Sequence, residues 1–150
     1  MSTRLDLVGY DRDDQLTLVV EVKKKQDASL EWATRLRRNI LAHDTFPNAP
    51  FFLLALPDRF YLWKNGIKNH VASNPTYAID AKPVLKPYLE RAGVEVEQIS
   101  GQSLELIIAA WLNEIVRKKP NEFDASERWL IESGLYDALV GGRLKYETMA

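Results

Sequence analysis

Asp6, Glu21 and Lys23 are the residues in this 150-residue chain whose types and spacing could do chemistry together. Leu16 to Val22 (LTLVVEV) is rich in β-branched residues and predicts a strand, with the acidic Asp11–Gln15 stretch as the turn before it. A side-chain period of two puts Leu16, Leu18, Val20 and Val22 on one face, and Thr17, Val19, Glu21 and Lys23 on the other. A carboxylate and an ammonium therefore leave one face about 7 Å apart. Charges at the end of so apolar a strand are costly unless paired or metal-bound. A second carboxylate, Asp6, lies in a preceding strand predicted over Arg4 to Tyr10. If the two strands form a hairpin, pairings whose residue numbers sum to an odd value, such as Val8 opposite Val19, bring Asp6 to the face of Glu21. Even sums separate them unless a bulge intervenes.

Two carboxylates and a lysine on one face are suited to holding Mg²⁺, or Mn²⁺, against a phosphodiester. Mg²⁺ takes a couple of carboxylates, with waters and phosphate oxygens completing its shell. The ion polarises the phosphoryl group and acidifies the attacking water. Lys23 would position that water or stabilise charge developing in the transition state. On spacing alone, a solvated hairpin edge that uses its charges to deter aggregation is the better description.

The pattern of Leu5-Asp6-Leu7-Val8, fourteen residues between the two carboxylates, then Glu21-Val22-Lys23 resembles the PD-(D/E)XK, or restriction-endonuclease-like, nuclease superfamily. The similarity runs from about Arg4 to Lys64. It is nearest to the N-terminal nuclease domain of type I restriction-enzyme motor subunits, where an aspartate strand, an E-x-K strand, a helix and an aromatic-rich hairpin follow in that order. The resemblance implies an α/β domain with a mixed central sheet flanked by helices, and metal-dependent endonuclease activity. It implies Asp6, Glu21 and Lys23 as catalytic residues, with Asp6, Glu21 and the carbonyl of Val22 as metal ligands. The chain departs from the family in three places. Leu5 stands where a proline often precedes the aspartate, and no helix comes before the first strand. Arg35 and Asn39 occupy the positions of the Gln-x-x-x-Tyr motif that some members carry.

The elements that must position these residues follow in order. A helix is predicted from about Ala28 to Ala42, capped by Asp27 or Ser29, with Leu30, Ala33, Leu36 and Ile40 as its apolar stripe. Phe46–Pro50 reads as a connection. Phe51–Leu56 is a continuous apolar run suited to a central strand. Arg59–Lys64 is a strand ending at an Asn65-Gly66 turn. Its Tyr61 and Trp63 either stack on bases or pack beneath a helix. No element is predicted over Ile67–Asp80. Pro83 opens a short helix ending at Gly93, and Ser103–Lys118 is a strongly amphipathic helix. Asp124-Ala-Ser-Glu127 reads as a capping box for another helix. The apolar tail from Leu135 is expected to dock, on this chain or on a second subunit.

Composition bounds the rest. The length suits one domain, with a core over residues 4–64 and a helical part over 80–150. There are no cysteines, so disulfides and thiolate metal sites are excluded, and a cytoplasmic location is expected. No transmembrane-length apolar run is present. His43 and His70 have no metal-ligand spacing and are expected at the surface. A net charge of −1 argues against a protein that coats nucleic acid nonspecifically. Locally, Lys23, Lys24, Lys25, Arg35, Arg37 and Arg38 outnumber Glu21, Asp27 and Glu31 between Glu21 and His43. Lys24, Lys25, Gln26, Arg35 and Arg38 are therefore the candidate contacts to nucleic acid, with DNA the expected partner. Two other functions stay open: a nuclease-fold module without cleavage, and an interaction protein whose C-terminal helices form a homodimer.

Overall fold

The computed structural model describes residues 6–43, 49–64 and 74–146. Leu7–Tyr10 (β1) and Leu16–Val22 (β2) form the hairpin expected from the acidic turn. Asp11 Oδ1 accepts from the backbone N–H groups of Asp13 and Gln15, both at 2.9 Å, and Asp14 takes a left-handed conformation (φ 64°). Asp and Asn tolerate that conformation better than most residues do. Leu7 pairs with Val20 and Val8 with Val19, so the register is the odd-sum one, with a shift only at Tyr10. Of the predicted first strand, Arg4 and Leu5 lie outside the described residues, and Asp6 sits in a bend ahead of β1.

From β2 the chain enters the helix Leu30–His43 (α1), then Phe51–Ala55 (β3), which runs parallel to β2. Every residue of β3 is buried, because helices cover both of its faces. Arg59–Lys64 (β4) returns antiparallel to β3, and Tyr77–Asp80 (β5) pairs with β4. β5 falls in a segment expected to lack an element. Four residues of alternating exposure at a sheet edge leave too little apolar signal to distinguish from a loop. The Asn65-Gly66 turn and most of the Phe46–Pro50 connection lie outside the described residues, as do His70 and the side chain of His43.

Lys82–Ala92 (α2) ends on Gly93 at φ 67°, and Gly101–Ile115 (α3) starts on Ser100, whose Oγ accepts from Ser103 N–H. The helix thus starts two residues before the predicted position and stops three before it. Asp124 does not form the expected capping box. It accepts from Ser126 N–H, a short 3₁₀ turn follows, and Glu127 turns inward instead of back to its own backbone. Arg128–Glu132 (α4) and Leu135–Leu139 (α5) come next, and Arg143–Tyr146 (β6) pairs antiparallel with β1. The tail, expected to dock on this chain or on a second subunit, docks through residue 146 on its own sheet.

The result is a six-stranded mixed open sheet in the order β5-β4-β3-β2-β1-β6. α1 covers one face over Val8, Val19, Phe52, Leu54, Tyr61 and Trp63. The C-terminal helices cover the other over Leu18, Val20, Leu53, Phe60 and Leu62. Among the described residues, no helix is long and apolar enough to cross a membrane.

Candidate active site

Alternation along β2 settles where each charge goes. Leu18, Val20 and Val22 join the core beneath the C-terminal helices, so Thr17, Val19 and Glu21 face α1. Glu21 is 2% exposed, and its Oε2 lies 3.1 Å from the Nζ of Lys23, whose side chain is 45% exposed. A buried carboxylate is thus tied to a cation that reaches solvent. A buried charge is tolerable only with such a partner, and losing one member leaves the other desolvated.

Asp6 is 9% exposed and comes to the same strand end from the neighbouring strand. The odd-sum register of Leu7–Gly9 against Leu18–Val20 would carry Asp6 to the α1 side if the ladder ran on, but Asp6 precedes β1, in a bend. Its backbone leaves the ladder there. Asp6 N–H donates to the carbonyl of Val20 at 3.2 Å, and Asp6 Oδ2 accepts from Val22 N–H at 2.7 Å. Asp6 is therefore fastened to the residue between Glu21 and Lys23. Lys23 N–H donates the other way, to Ala55 of β3. Even-numbered residues of β2 direct their peptide groups toward β1, so the Val22 carbonyl faces the side from which Asp6 arrives.

The loop leaving β2 carries Lys24, Lys25 and Gln26, all exposed. Asp27 follows in a left-handed conformation (φ 57°), with its N–H held by Asp58 Oδ2 at 3.0 Å. Ser29 caps α1 by accepting from Trp32 N–H, and Tyr61 O–H donates to Ala28 C=O at 2.8 Å. These contacts pin the loop to the β3–β4 turn at the carboxyl ends of the parallel pair, where open α/β sheets bind ligands. Lys24 and Gln26 line a polar cavity of about 160 Å³ with Pro57, Val96, Glu97, Gln98 and Ile99.

One expectation is corrected on α1, and on β4 the choice between two readings is decided in favour of packing beneath a helix. Arg35 and Arg38 are exposed, but Arg37 is 1% exposed and lies over the rings of Phe52 (5.6 Å) and Trp63 (5.1 Å). Burial pushes its guanidinium down to about 10. Arg37 therefore adds nothing to the basic surface. Tyr61 and Trp63 are buried beneath α1, so neither is a base-stacking residue in this fold. Burial also raises the Tyr61 phenol above its ordinary value. Asp58 and Trp32 went unnoticed in the sequence. A single aspartate in a turn carries no signature, and Trp32 falls one position outside the apolar stripe of α1.

The donors that the resemblance implies, two carboxylates and a backbone carbonyl, are all hard oxygen, which would suit Mg²⁺ or Mn²⁺ rather than a thiophilic metal. Among the described residues no cluster of three or more acidic or histidine side chains is arranged to hold an ion. Water and substrate oxygens would have to complete the shell, as is usual for Mg²⁺. No protein-family model matches the chain, and no curated protein or solved structure matches it.

Proposed function

We propose that the chain is a restriction-endonuclease-like domain that hydrolyses a phosphodiester bond of nucleic acid, most naturally DNA, with Mg²⁺ or Mn²⁺. The observation that carries this reading is the fastening of Asp6 to Val22, which brings a second carboxylate to the Glu21–Lys23 strand end. Asp6, Glu21 and the carbonyl of Val22 would hold the ion. When bound, the ion supplies Lewis acidity toward the phosphoryl oxygen and an acidified water. Lys23 is anchored by Glu21 and half open to solvent, so its ammonium can meet the charge that accumulates as the bond breaks. Lys24, Lys25, Arg35 and Arg38 supply exposed cations for the backbone on either side.

The near-complete burial of Glu21 favours a second reading. There the ion pair only closes the end of β2, and the domain binds nucleic acid without cutting it. Nicking of supercoiled and single-stranded DNA with Mg²⁺ or Mn²⁺ separates the two. Cleavage by the wild type that falls about two to four orders of magnitude in Lys23→Ala supports catalysis. A wild type that cuts nothing, with a Lys23→Ala variant that melts much earlier, leaves the structural pair.

A further inference from the structure

Trp63, Trp111 and Trp129, three of the four tryptophans, are buried within ring clusters on the two sides of the sheet. The fourth is placed differently. Trp32 is only partly buried, and it lines a surface cavity of about 150 Å³ with Arg35, Leu36 and Asn39. These four residues stand at i, i+3, i+4 and i+7, which makes them one face of α1. Lys25 Nζ lies over the Trp32 ring, 5.3 Å from its centroid. Arg35, Arg38 and Asn39 are exposed on the same helix, against Glu31 in its first turn. Trp32 packs in part against the core beneath α1, but it is not enclosed, and exposed cations stand beside it.

We infer that Trp32, with Lys25 and Arg35, is a stacking platform for an unpaired base, so the substrate of the proposed nuclease is single-stranded nucleic acid. The chemistry matches on both counts. An aromatic side chain stacks on any base, and flanking Lys and Arg track the phosphates. A base paired within a duplex offers no free face to such a ring, whereas an unpaired one does. Lys25 has a long flexible stem and is free to move from the ring to a phosphate as the base arrives. The platform also lies on the loop and helix that leave the catalytic strand, with Lys25 two residues beyond Lys23. Asn39, one turn beyond Arg35, adds an amide that can meet a base edge.

The inference rests on the nuclease reading for its substrate, but its test does not depend on cleavage. Intrinsic tryptophan emission is followed in EDTA while oligothymidylate, or a blunt duplex of equal length, is added. The single strand should quench the emission and the duplex should leave it nearly unchanged. By anisotropy of labelled oligothymidylate, Trp32→Leu, which keeps apolar bulk without a ring, should bind about ten-fold more weakly. Trp32→Phe should stay within about three-fold of wild type, with circular dichroism melts confirming that both variants fold. Trp32→Phe keeps the test meaningful should Trp32→Leu fail to fold, because loss of binding in a folded Phe variant contradicts stacking. Equal quenching by duplex, or a folded Trp32→Leu variant binding as tightly as wild type, would overturn the platform. Quenching without any cleavage counts against catalysis alone, and cleavage without quenching counts against the platform alone.

Discussion

At the scale of single residues, the Glu21–Lys23 pair is asymmetric, and the asymmetry makes distinct predictions for its members. Lys23 is half in solvent, so water would screen its charge if Glu21 were lost. Glu21 is enclosed and has no such relief. Glu21→Gln keeps the shape but removes the ligand charge. If the site holds Mg²⁺, the wild type should gain thermal stability on adding the ion, and the variant should not. At a hundred-fold excess over the dissociation constant the gain is about 2.7 kcal/mol, or roughly 5–10 °C for a domain of this size. Melts with and without Mg²⁺ on both proteins decide it, and equal behaviour removes the metal site. Arg37 illustrates the opposite case, a charge whose work is packing. Arg37→Ala withdraws the long side chain from over Phe52 and Trp63 and should cost about 2–4 kcal/mol in urea unfolding. Nucleic-acid affinity should barely change in that variant, since the guanidinium does not reach the surface.

At the scale of elements, α3 carries most of the burden of the C-terminal side. Trp111 is fully buried, stacks on Phe60 at 5.0 Å, and donates its indole N–H to Glu127 Oε2 at 2.9 Å. Glu127 also accepts from Lys118 Nζ at 3.0 Å. Trp111→Ala therefore removes a core ring and one partner of a buried carboxylate, and should cost at least 3–5 kcal/mol in denaturant melts. A loss below about 1 kcal/mol would mean that the helix is misplaced. On the other side, Tyr61 ties β4 to the start of α1, and burial holds its phenol above the ordinary value near 10. A group whose folded pKa is raised contributes stability fully present below the unfolded value and lost as pH climbs through the folded one. Wild type should thus lose its advantage over Tyr61→Phe as pH rises past 10, measured by melts in the alkaline range. Strong periodicity explains which elements were legible in the sequence. β2 matched residue for residue, and α1, β3, β4 and α3 followed from runs and stripes of apolar residues. The candidate residues Glu21 and Lys23 drew notice for the same reason, because charges stand out on an apolar strand. β5 and β6 were not legible, since short edge strands such as Arg143–Tyr146 take their identity from a neighbour rather than from their own side chains. Arg37 and Glu127 were misassigned because a sequence shows that a residue is charged, not that aromatic rings or an indole will receive it.

At the scale of the whole molecule, β1 is held on both sides, by β2 and by β6, and two glycines permit it. Gly9 packs where a Cβ would meet Leu139 at 3.0 Å and Leu18 at 3.3 Å. Gly142 is tighter, because a Cβ there would fall 1.8 Å from the carbonyl oxygen of Tyr10. Gly142→Ala must therefore push the start of β6 away from β1. It should destabilise the protein by several kcal/mol, more than a typical surface substitution by far. If the proposed site holds Mg²⁺, weaker ion binding should accompany the loss, since β1 follows directly from Asp6, and calorimetric titration at a temperature where the variant is still folded would show it. The pairing of β6 with β1 joins residues more than 130 positions apart. Contacts that distant close late, after local helices and hairpins have formed. During synthesis the β1–β2 hairpin and α1 leave the ribosome early, yet β1 keeps an open edge until residue 146 has been made and has reached it. The strand that follows Asp6 is secured last, so a nascent chain would carry Asp6, Glu21 and Lys23 for some time before it could hold them in their final arrangement.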